Sequence, residues 1–212
     1  MLVETFEQGL EYIIKQEATD ISYCKLGNTN KNLIIAFTSA YKPYFERKQT
    51  LLKLKDTRKD FDILYMRNQE GWYLGEMKGI GSDINDTIYF LQNKIKEYDR
   101  VMCVGSSMGG YGSILFGSIC YVDYVLTVWP QTDLEYVDVP ENVRLNKNFA
   151  KYKNLKHHLN QVTKYDITCS EKKHPLHGPH HCENLFGHVN VNIEITLEKI
   201  NLINSIKEFL NK

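Results

Sequence analysis

The chain has 212 residues, 42% hydrophobic and 25% charged, as expected of a globular protein long enough to bury one core. Its 26 basic and 26 acidic side chains balance, so no surface for nucleic acid or anionic lipid is predicted. No signal peptide, no apolar run of roughly 20 residues and five scattered cysteines together indicate a cytoplasmic protein with free thiols and no membrane span.

Runs rich in β-branched and aromatic residues alternate with helical stretches along the chain. Strands are predicted over residues 21–26, 33–38, 61–66, 100–104, 124–129, 164–169 and 189–195, and helices over 83–97, 109–119 and 197–210. This alternation predicts one α/β domain over residues 1–212, with a mostly parallel sheet and helices on both faces. The stretch 134–162 has no strand signal, and we interpret it as an insertion over the active edge of the sheet, partly helical around residues 148–159.

The sequence VGSSMGGYGS, residues 104–113, has the G-x-S-x-G pattern of a nucleophile elbow, centred on Ser107. A predicted strand precedes it and a predicted helix follows, and both are required of an elbow. Gly105 and Gly109 leave room for the strained backbone of a nucleophile, so we expect a positive φ at Ser107. The alternative is a glycine-rich turn that only packs closely.

An elbow serine needs two N–H donors for the oxyanion that forms during acyl transfer. Met108 begins the predicted helix, where its N–H would also gain from the helix dipole. The second donor is expected in the loop after residues 33–38, with the N–H of Ser39, or of the neighbouring Ala40, as the candidate. Ordinary polar residues at a strand end are the alternative.

Four stretches occur in one order between Leu33 and Leu134: IIAFTSAYKPYFERK, DILYMRNQEGWYLGEMKGIGSD, VMCVGSSMGGYGSILFG and VLTVWPQTDL. They resemble the α/β-hydrolase superfamily, within it the small hydrolase-like proteins of bacterial capsule and surface-polysaccharide gene clusters. The resemblance implies a three-layer α/β-hydrolase-like fold with a mostly parallel central sheet. It also implies a saccharide or acyl-ester substrate, with acetyl-CoA as donor if the protein is a transferase and no cofactor if it only hydrolyses esters.

The resemblance weakens where the superfamily places its acid and its histidine. The histidine should follow the last strand, yet residues 196–212 contain none. Four histidines instead lie in HPLHGPHHC, residues 174–182, after the next-to-last strand and at the predicted edge of Ser107. His177 stands where the family has its acid and is our candidate general base. Asp133 is the candidate orienting carboxylate, with Glu171 and Glu183 as alternatives.

The histidine segment has two other interpretations. Its imidazoles and Cys182 are ligands that zinc accepts, although their spacing fits no standard finger, and we expect no metal. The segment is otherwise a solvated loop without catalytic function. In that case the chain is a non-catalytic binding or scaffold protein of polysaccharide assembly, the alternative to a serine-dependent O-acetyltransferase or esterase acting on a cell-surface polysaccharide.

Two further groups of side chains suggest ligand contacts. Four cations of the 134–162 stretch are candidates for the phosphates of coenzyme A, or are solvated charges: Arg144, Lys147, Lys151 and Lys153. Six aromatic residues in loops near the elbow form a candidate glycan platform, or complete the core: Tyr41, Tyr44, Trp72, Tyr73, Tyr111 and Trp129.

Overall fold

The computed structural model describes residues 5–29, 31–40, 42–68, 71–171, 178–196 and 202–212. Its strands form a sheet in the order β1-β3-β2-β4-β5-β6-β7, where β1 is antiparallel to β3 and every other neighbouring pair is parallel. The strands are β1 (Tyr23–Leu26), β2 (Asn32–Phe37), β3 (Phe61–Met66), β4 (Arg100–Ser106), β5 (Tyr124–Val128), β6 (Lys164–Ser170) and β7 (Val191–Thr196). The predicted mostly parallel sheet is confirmed.

Helices cover both faces of this sheet. They are α1 (Phe6–Glu17), α2 (Lys48–Thr57), α3 (Ile84–Ile95), α4 (Met108–Ile119), α5 (Glu141–Arg144), α6 (Phe149–Tyr152), α7 (His180–Glu183) and α8 (Leu202–Leu210). Within the described residues, no helix is long and apolar enough to cross a bilayer. The predicted helix over 197–210 is confirmed from Leu202 onward, and its residues 197–201 lie outside the described part.

The central strand β2 shows how the three layers arise. Successive side chains of a strand point to opposite faces, and both faces of β2 are buried. Leu33, Ile35 and Phe37 pack with α3 and α4, whereas Ile34 and Ala36 pack with α1, α2 and α8. A continuous apolar run is therefore the expected sequence of a strand covered on both sides.

Short helical turns fill the connection between β5 and β6. Besides α5 and α6 it contains two 3₁₀ turns, Leu134–Tyr136 and Leu155–His158. Val143, Tyr152 and Leu155 bury their side chains in the same core as α4. The helical content predicted around residues 148–159 is confirmed, while the role of this connection as a cap over the active edge stays a prediction.

A disulfide corrects the expectation of free thiols. Cys169, near the end of β6, is bonded to Cys182 of α7, with Cα atoms 6.1 Å apart. Cys24, Cys103 and Cys120 are free and buried. The expectation failed because the two partners are 13 residues apart and meet only through the tertiary fold. The argument from unpaired cysteines to a reducing compartment therefore loses its basis.

Candidate active site

Ser107 is held in a strained backbone conformation between β4 and α4. Its φ is 54° and its ψ is −125°, and the positive φ expected of an elbow is confirmed. The flanking glycines are required by close contacts. A Cβ on Gly105 would lie 2.1 Å from the carbonyl oxygen of Gly109, and one on Gly109 would lie 2.3 Å from that of Phe37. The turn thus fits tightly against both α4 and the end of β2.

The loop after β5 fixes the backbone of this serine. The N–H of Ser107 donates to the carbonyl of Val128 at 3.2 Å, and its own carbonyl accepts from the N–H of Gln131 at 3.3 Å. The Gln131 side chain in turn accepts a hydrogen bond from the buried indole of Trp72 at 2.7 Å. Ser107 itself is half-buried at the carboxyl edge of the sheet.

The two candidate oxyanion donors differ in their surroundings. Met108 is the first residue of α4, so its N–H has no acceptor within the helix. The N–H of Ser39 instead donates to the carboxylate of Glu46 at 2.8 Å, and the Ser39 hydroxyl donates to the same oxygen at 2.7 Å. Ser39 would become a donor to an oxyanion only if Glu46 moved, and its role stays a prediction.

The candidate carboxylate, Asp133, is buried, and its oxygens accept hydrogen bonds from groups other than the described histidine side chains. One of its oxygens accepts from the N–H of Glu135 at 3.0 Å, and the other accepts from the Asn154 amide at 2.8 Å. These bonds begin the 3₁₀ turn after β5 and tie it to the later part of the connection. The catalytic role of Asp133 stays a prediction, as do those of Glu171 and Glu183, which are exposed.

The histidine segment is described only in part. His177, the candidate base, and His174 lie outside the described residues. His181 is fully buried, and its Nδ1 accepts from the N–H groups of Thr132 at 3.2 Å and Asp133 at 3.4 Å. The lone pair of Nδ1 is thus occupied, and a neutral imidazole in this position carries its proton on Nε2. This tautomer suits a donor rather than a base acting through Nε2.

His180 has a different environment. Its ring lies between the rings of Tyr136 and His181, with centroid distances of 4.9 and 4.2 Å. Its Nε2 is buried and has no hydrogen-bond partner in the part of the chain that the structure describes. A buried imidazole nitrogen without a partner keeps its lone pair or its proton available. His180, one of the four histidines that the sequence places in this segment, is therefore a second candidate for proton transfer after His177.

The sequence also did not single out Glu46 and Arg47. An Nη2 hydrogen of Arg47 is donated to the hydroxyl of Ser106, the residue directly before Ser107. Arg47 Nη1 lies 3.9 Å from Glu46 Oε2. Their only signal in the sequence was the adjacent acid and base in YFERK, in the loop between β2 and α2, and such pairs usually lie on solvated surfaces.

The aromatic platform is wrong for three of its members. Trp72, Tyr73 and Tyr111 are at most 1% exposed and belong to the core. Tyr44 is 41% exposed and Trp129 is half-buried, so these two can meet a ligand, and Tyr41 lies outside the described residues. Large aromatic side chains beside a tight elbow are needed to fill the space under its loops, and the sequence pattern does not separate that role from ligand contact.

The four cations proposed for coenzyme A have protein contacts. Lys147 pairs with Asp83 at 3.1 Å, and Lys153 pairs with Glu135. Arg144 donates to the Val137 carbonyl at 3.1 Å, and the Nζ of Lys151 lies 4.7 Å from the centroid of the Tyr152 ring. These residues do not form a group of unengaged charges, so we derive no phosphate site from them. Among the described residues, no cluster of three or more His, Cys, Asp or Glu side chains could hold a metal ion.

A polar cavity of about 510 Å³ lies beyond the carboxyl end of β3, where Arg67 and Asn68 follow the strand. The end of α1, the loop around Gly75 and α5 enclose it, and Ser107 does not line it. The guanidinium of Arg67 borders it but is engaged by the carbonyls of Glu17 and Ile21. Size alone therefore does not identify the reactive centre, which the strained serine marks more specifically.

A mostly parallel sheet with a strained serine between a strand and the following helix is typical of the class of α/β-hydrolase-like folds. No protein-family model matches the chain, and no curated protein matches it. Among solved structures, the capsule O-acetyltransferase of Neisseria meningitidis serogroup A is similar with a TM-score of 0.62 and 16% identity, over 89% of this chain and 88% of that chain. A mutant of that enzyme in complex with CoA has a TM-score of 0.61 and 16% identity, with 89% of each chain covered.

Hydrolases show the same likeness. The fluorophosphonate-binding serine hydrolase F of Staphylococcus aureus has a TM-score of 0.59 and 12% identity, over 85% of this chain and 82% of that chain. An α/β-hydrolase enzyme from a sediment metagenome of the Mar Chica lagoon, Morocco, has a TM-score of 0.55 and 15% identity, over 89% and 93%. The chain therefore has the three-layer α/β-hydrolase-like fold that its sequence predicts.

Proposed function

We propose that the protein is a serine-dependent acyl-ester enzyme, an O-acetyltransferase or esterase of a bacterial cell-surface polysaccharide or its precursor. The observation that carries the proposal is the backbone of Ser107, with φ at 54° at the carboxyl edge of the sheet. Such strain costs of order 1–3 kcal/mol, and glycine at this position would remove the cost. A serine here is therefore explained by a need for its hydroxyl.

In the proposed reaction the oxygen of Ser107 attacks the carbonyl carbon of the acyl donor, an ester in hydrolysis or a CoA thioester in transfer. The C–O bond of the ester or the C–S bond of the thioester breaks, the alcohol or the thiol leaves with a proton, and an acyl-serine forms. A second oxygen nucleophile then takes the acyl group and returns the proton to the serine: a sugar hydroxyl in transfer, water in hydrolysis. The N–H of Met108 stabilises the oxyanion of both tetrahedral intermediates.

The proton of Ser107 requires a base. We retain His177 with Asp133 as the proposed pair and add His180, because its buried Nε2 is unpartnered among the described residues. The bound state of the Neisseria enzyme with CoA supports a CoA-linked acyl donor for the transferase form. The polysaccharide acceptor rests on the likeness to that capsule enzyme alone.

Labelling with a fluorophosphonate probe tests the nucleophile. The wild type should react, and Ser107→Ala should not, whereas Ser205→Ala on α8 should react like the wild type. His177→Ala or His180→Ala should lower the labelling rate about 10²-fold, according to which one is the base. Equal labelling of Ser107→Ala and wild type would refute the proposed nucleophile. Acetate release measured with and without a saccharide acceptor then separates transfer from hydrolysis.

One observation favours a second function. The candidate donor Ser39 is bound by Glu46, and the candidate acid Asp133 is bound by Asn154, so neither is poised for catalysis. A non-catalytic binding or scaffold protein of polysaccharide assembly would retain the fold with these groups engaged. Absence of both labelling and ester turnover in well-folded wild type would favour that function.

A further inference from the structure

The backbone of Arg47 is strained without a local reason. Arg47 precedes α2 with φ at 60° and ψ at 11°, in the left-handed region, and its side chain does not cap the helix. A side chain with a Cβ pays about 1 kcal/mol or more there, so glycine or asparagine is the usual occupant. An arginine at this position indicates that its side chain is required where the backbone directs it.

The side chain of Arg47 reaches the elbow. Its Nη2 donates to the hydroxyl of Ser106, whose Cα is about 3.8 Å from that of Ser107 because the two residues are adjacent. The side chain is 17% exposed, so it is largely withdrawn from water and still accessible to a small molecule. The positively charged guanidinium therefore contacts the residue directly before the proposed nucleophile.

This charge has few protein partners. Of the five guanidinium hydrogens, one is used by Ser106 among the described residues. Glu46 pairs with the guanidinium at 3.9 Å without a hydrogen bond, because its nearer oxygen already accepts from both donors of Ser39. Burial also lowers the pKa of the Arg47 guanidinium, the cost of withdrawing a cation from water. A bound anion would offset that cost.

We propose that Arg47 forms a binding site for a carboxylate or phosphate beside Ser107. The planar guanidinium fork matches both groups and binds them through two parallel hydrogen bonds. If the proposed function holds, on which the identity of the ligand rests, the anion belongs to the saccharide or to the acyl donor. The protein would then prefer acidic saccharides or phosphate-bearing donors over neutral esters.

Ester specificity provides the first test. The substrates are p-nitrophenyl acetate and an O-acetylated methyl glucoside, which are neutral, and O-acetylated N-acetylneuraminic acid and O-acetylated glucose 1-phosphate, which are anionic. Arg47→Asn should lower kcat/KM for an anionic ester about 10- to 100-fold and change that for the neutral esters less than about 3-fold. Asparagine suits both the left-handed backbone and a helix N-cap, so the variant should fold.

Two further variants separate charge from geometry. Arg47→Lys keeps the charge without the fork and should give an intermediate loss. Arg58→Gln removes a cation from the far end of α2, where Arg58 pairs with Asp60, and should leave anion selectivity unchanged. The proposal would be overturned if Arg47→Asn lost equal activity on neutral and anionic esters. It would also be overturned if this variant melted at the wild-type temperature and still preferred anionic esters as strongly as the wild type.

Direct binding separates this site from the proposed activity. N-acetylneuraminic acid, glucose 1-phosphate and CoA are each titrated calorimetrically into Ser107→Ala and into the same protein with Arg47→Asn. Loss of affinity for the saccharides places the anion on the acceptor, and loss for CoA alone places it on the donor. If the wild type turns over no ester but its anion binding requires Arg47, the anion site is supported and the proposed enzymatic activity is refuted. If none of the anions binds more weakly to the Arg47→Asn protein, the site is refuted whatever the activity.

Discussion

A single methyl group at Gly105 should destabilise the whole protein, because the elbow has no room for it. The Cβ of Gly105→Ala would lie 2.1 Å from the Gly109 carbonyl oxygen and 2.6 Å from the hydroxyl of Ser113. Favourable contacts between heavy atoms lie at about 3.5–4.0 Å, so the backbone of α4 must shift by about 1 Å or more. Overpacking a core costs about 1–3 kcal/mol, and we expect the upper value since the obstructing atom is backbone.

The melting temperature measures this cost. For a chain of this size, about 3 kcal/mol corresponds to a decrease of about 6–12 °C. Gly75→Ala is the matched control, because a Cβ there meets nothing closer than 3.5 Å and should shift the melting temperature by about 2 °C or less. If Gly105→Ala melts within about 2 °C of the wild type and of Gly75→Ala, the tight contact between β4 and α4 does not exist.

Three further predictions concern thiols, backbone strain and pH. Burial raises the pKa of Cys24 and of Cys120 to about 12, so mass spectrometry should find neither alkylated in the native protein at pH 8; unfolding should expose three reactive thiols, and reduction five. Ser107→Gly should have a higher urea midpoint than Ser107→Ala, and a free energy of unfolding greater by about 1 kcal/mol or more, because only glycine relieves the positive φ. Equal midpoints would contradict the strain. Burial raises the pKa of Asp166, so the folded carboxyl holds its proton more tightly than the unfolded one and stability falls as pH rises from about 4 through the folded pKa. Urea titrations at pH 4 and pH 7 should therefore show Asp166→Asn gaining on the wild type at the higher pH.

Local patterns predicted the sheet and the elbow well. Phe61–Met66 is a strand at its predicted bounds. All of its residues are buried, and apart from Asp62 they are apolar or aromatic, as expected of a strand covered on both faces. The positive φ of Ser107 was likewise predictable, because the flanking glycines and the strand and helix around them are all contiguous in sequence. The start of α1 has an equally local signal, the capping box of Thr5 and Gln8, but this helix was not predicted.

Groups that meet only in three dimensions were not predictable. Glu46 reaches Ser39 across a loop, and Arg47, which directly precedes α2, reaches Ser106 at the end of β4, 59 residues away in sequence. The periodicity of a sequence does not predict such contacts, and an adjacent acid and base such as Glu46 and Arg47 is usually interpreted as solvated surface charge. The pairing of Cys169 with Cys182 is of the same kind, since it depends on where α7 returns to the sheet.

That pairing also makes the histidine segment a covalent ring. A protease that cuts anywhere between residues 170 and 181 leaves two fragments joined through sulfur, so the nicked chain runs as one band without reductant and as two with it. The piece carrying β7 and α8 cannot diffuse away after such a cut. Cleavage in this ring therefore changes the connectivity of the chain while keeping both halves of the molecule together.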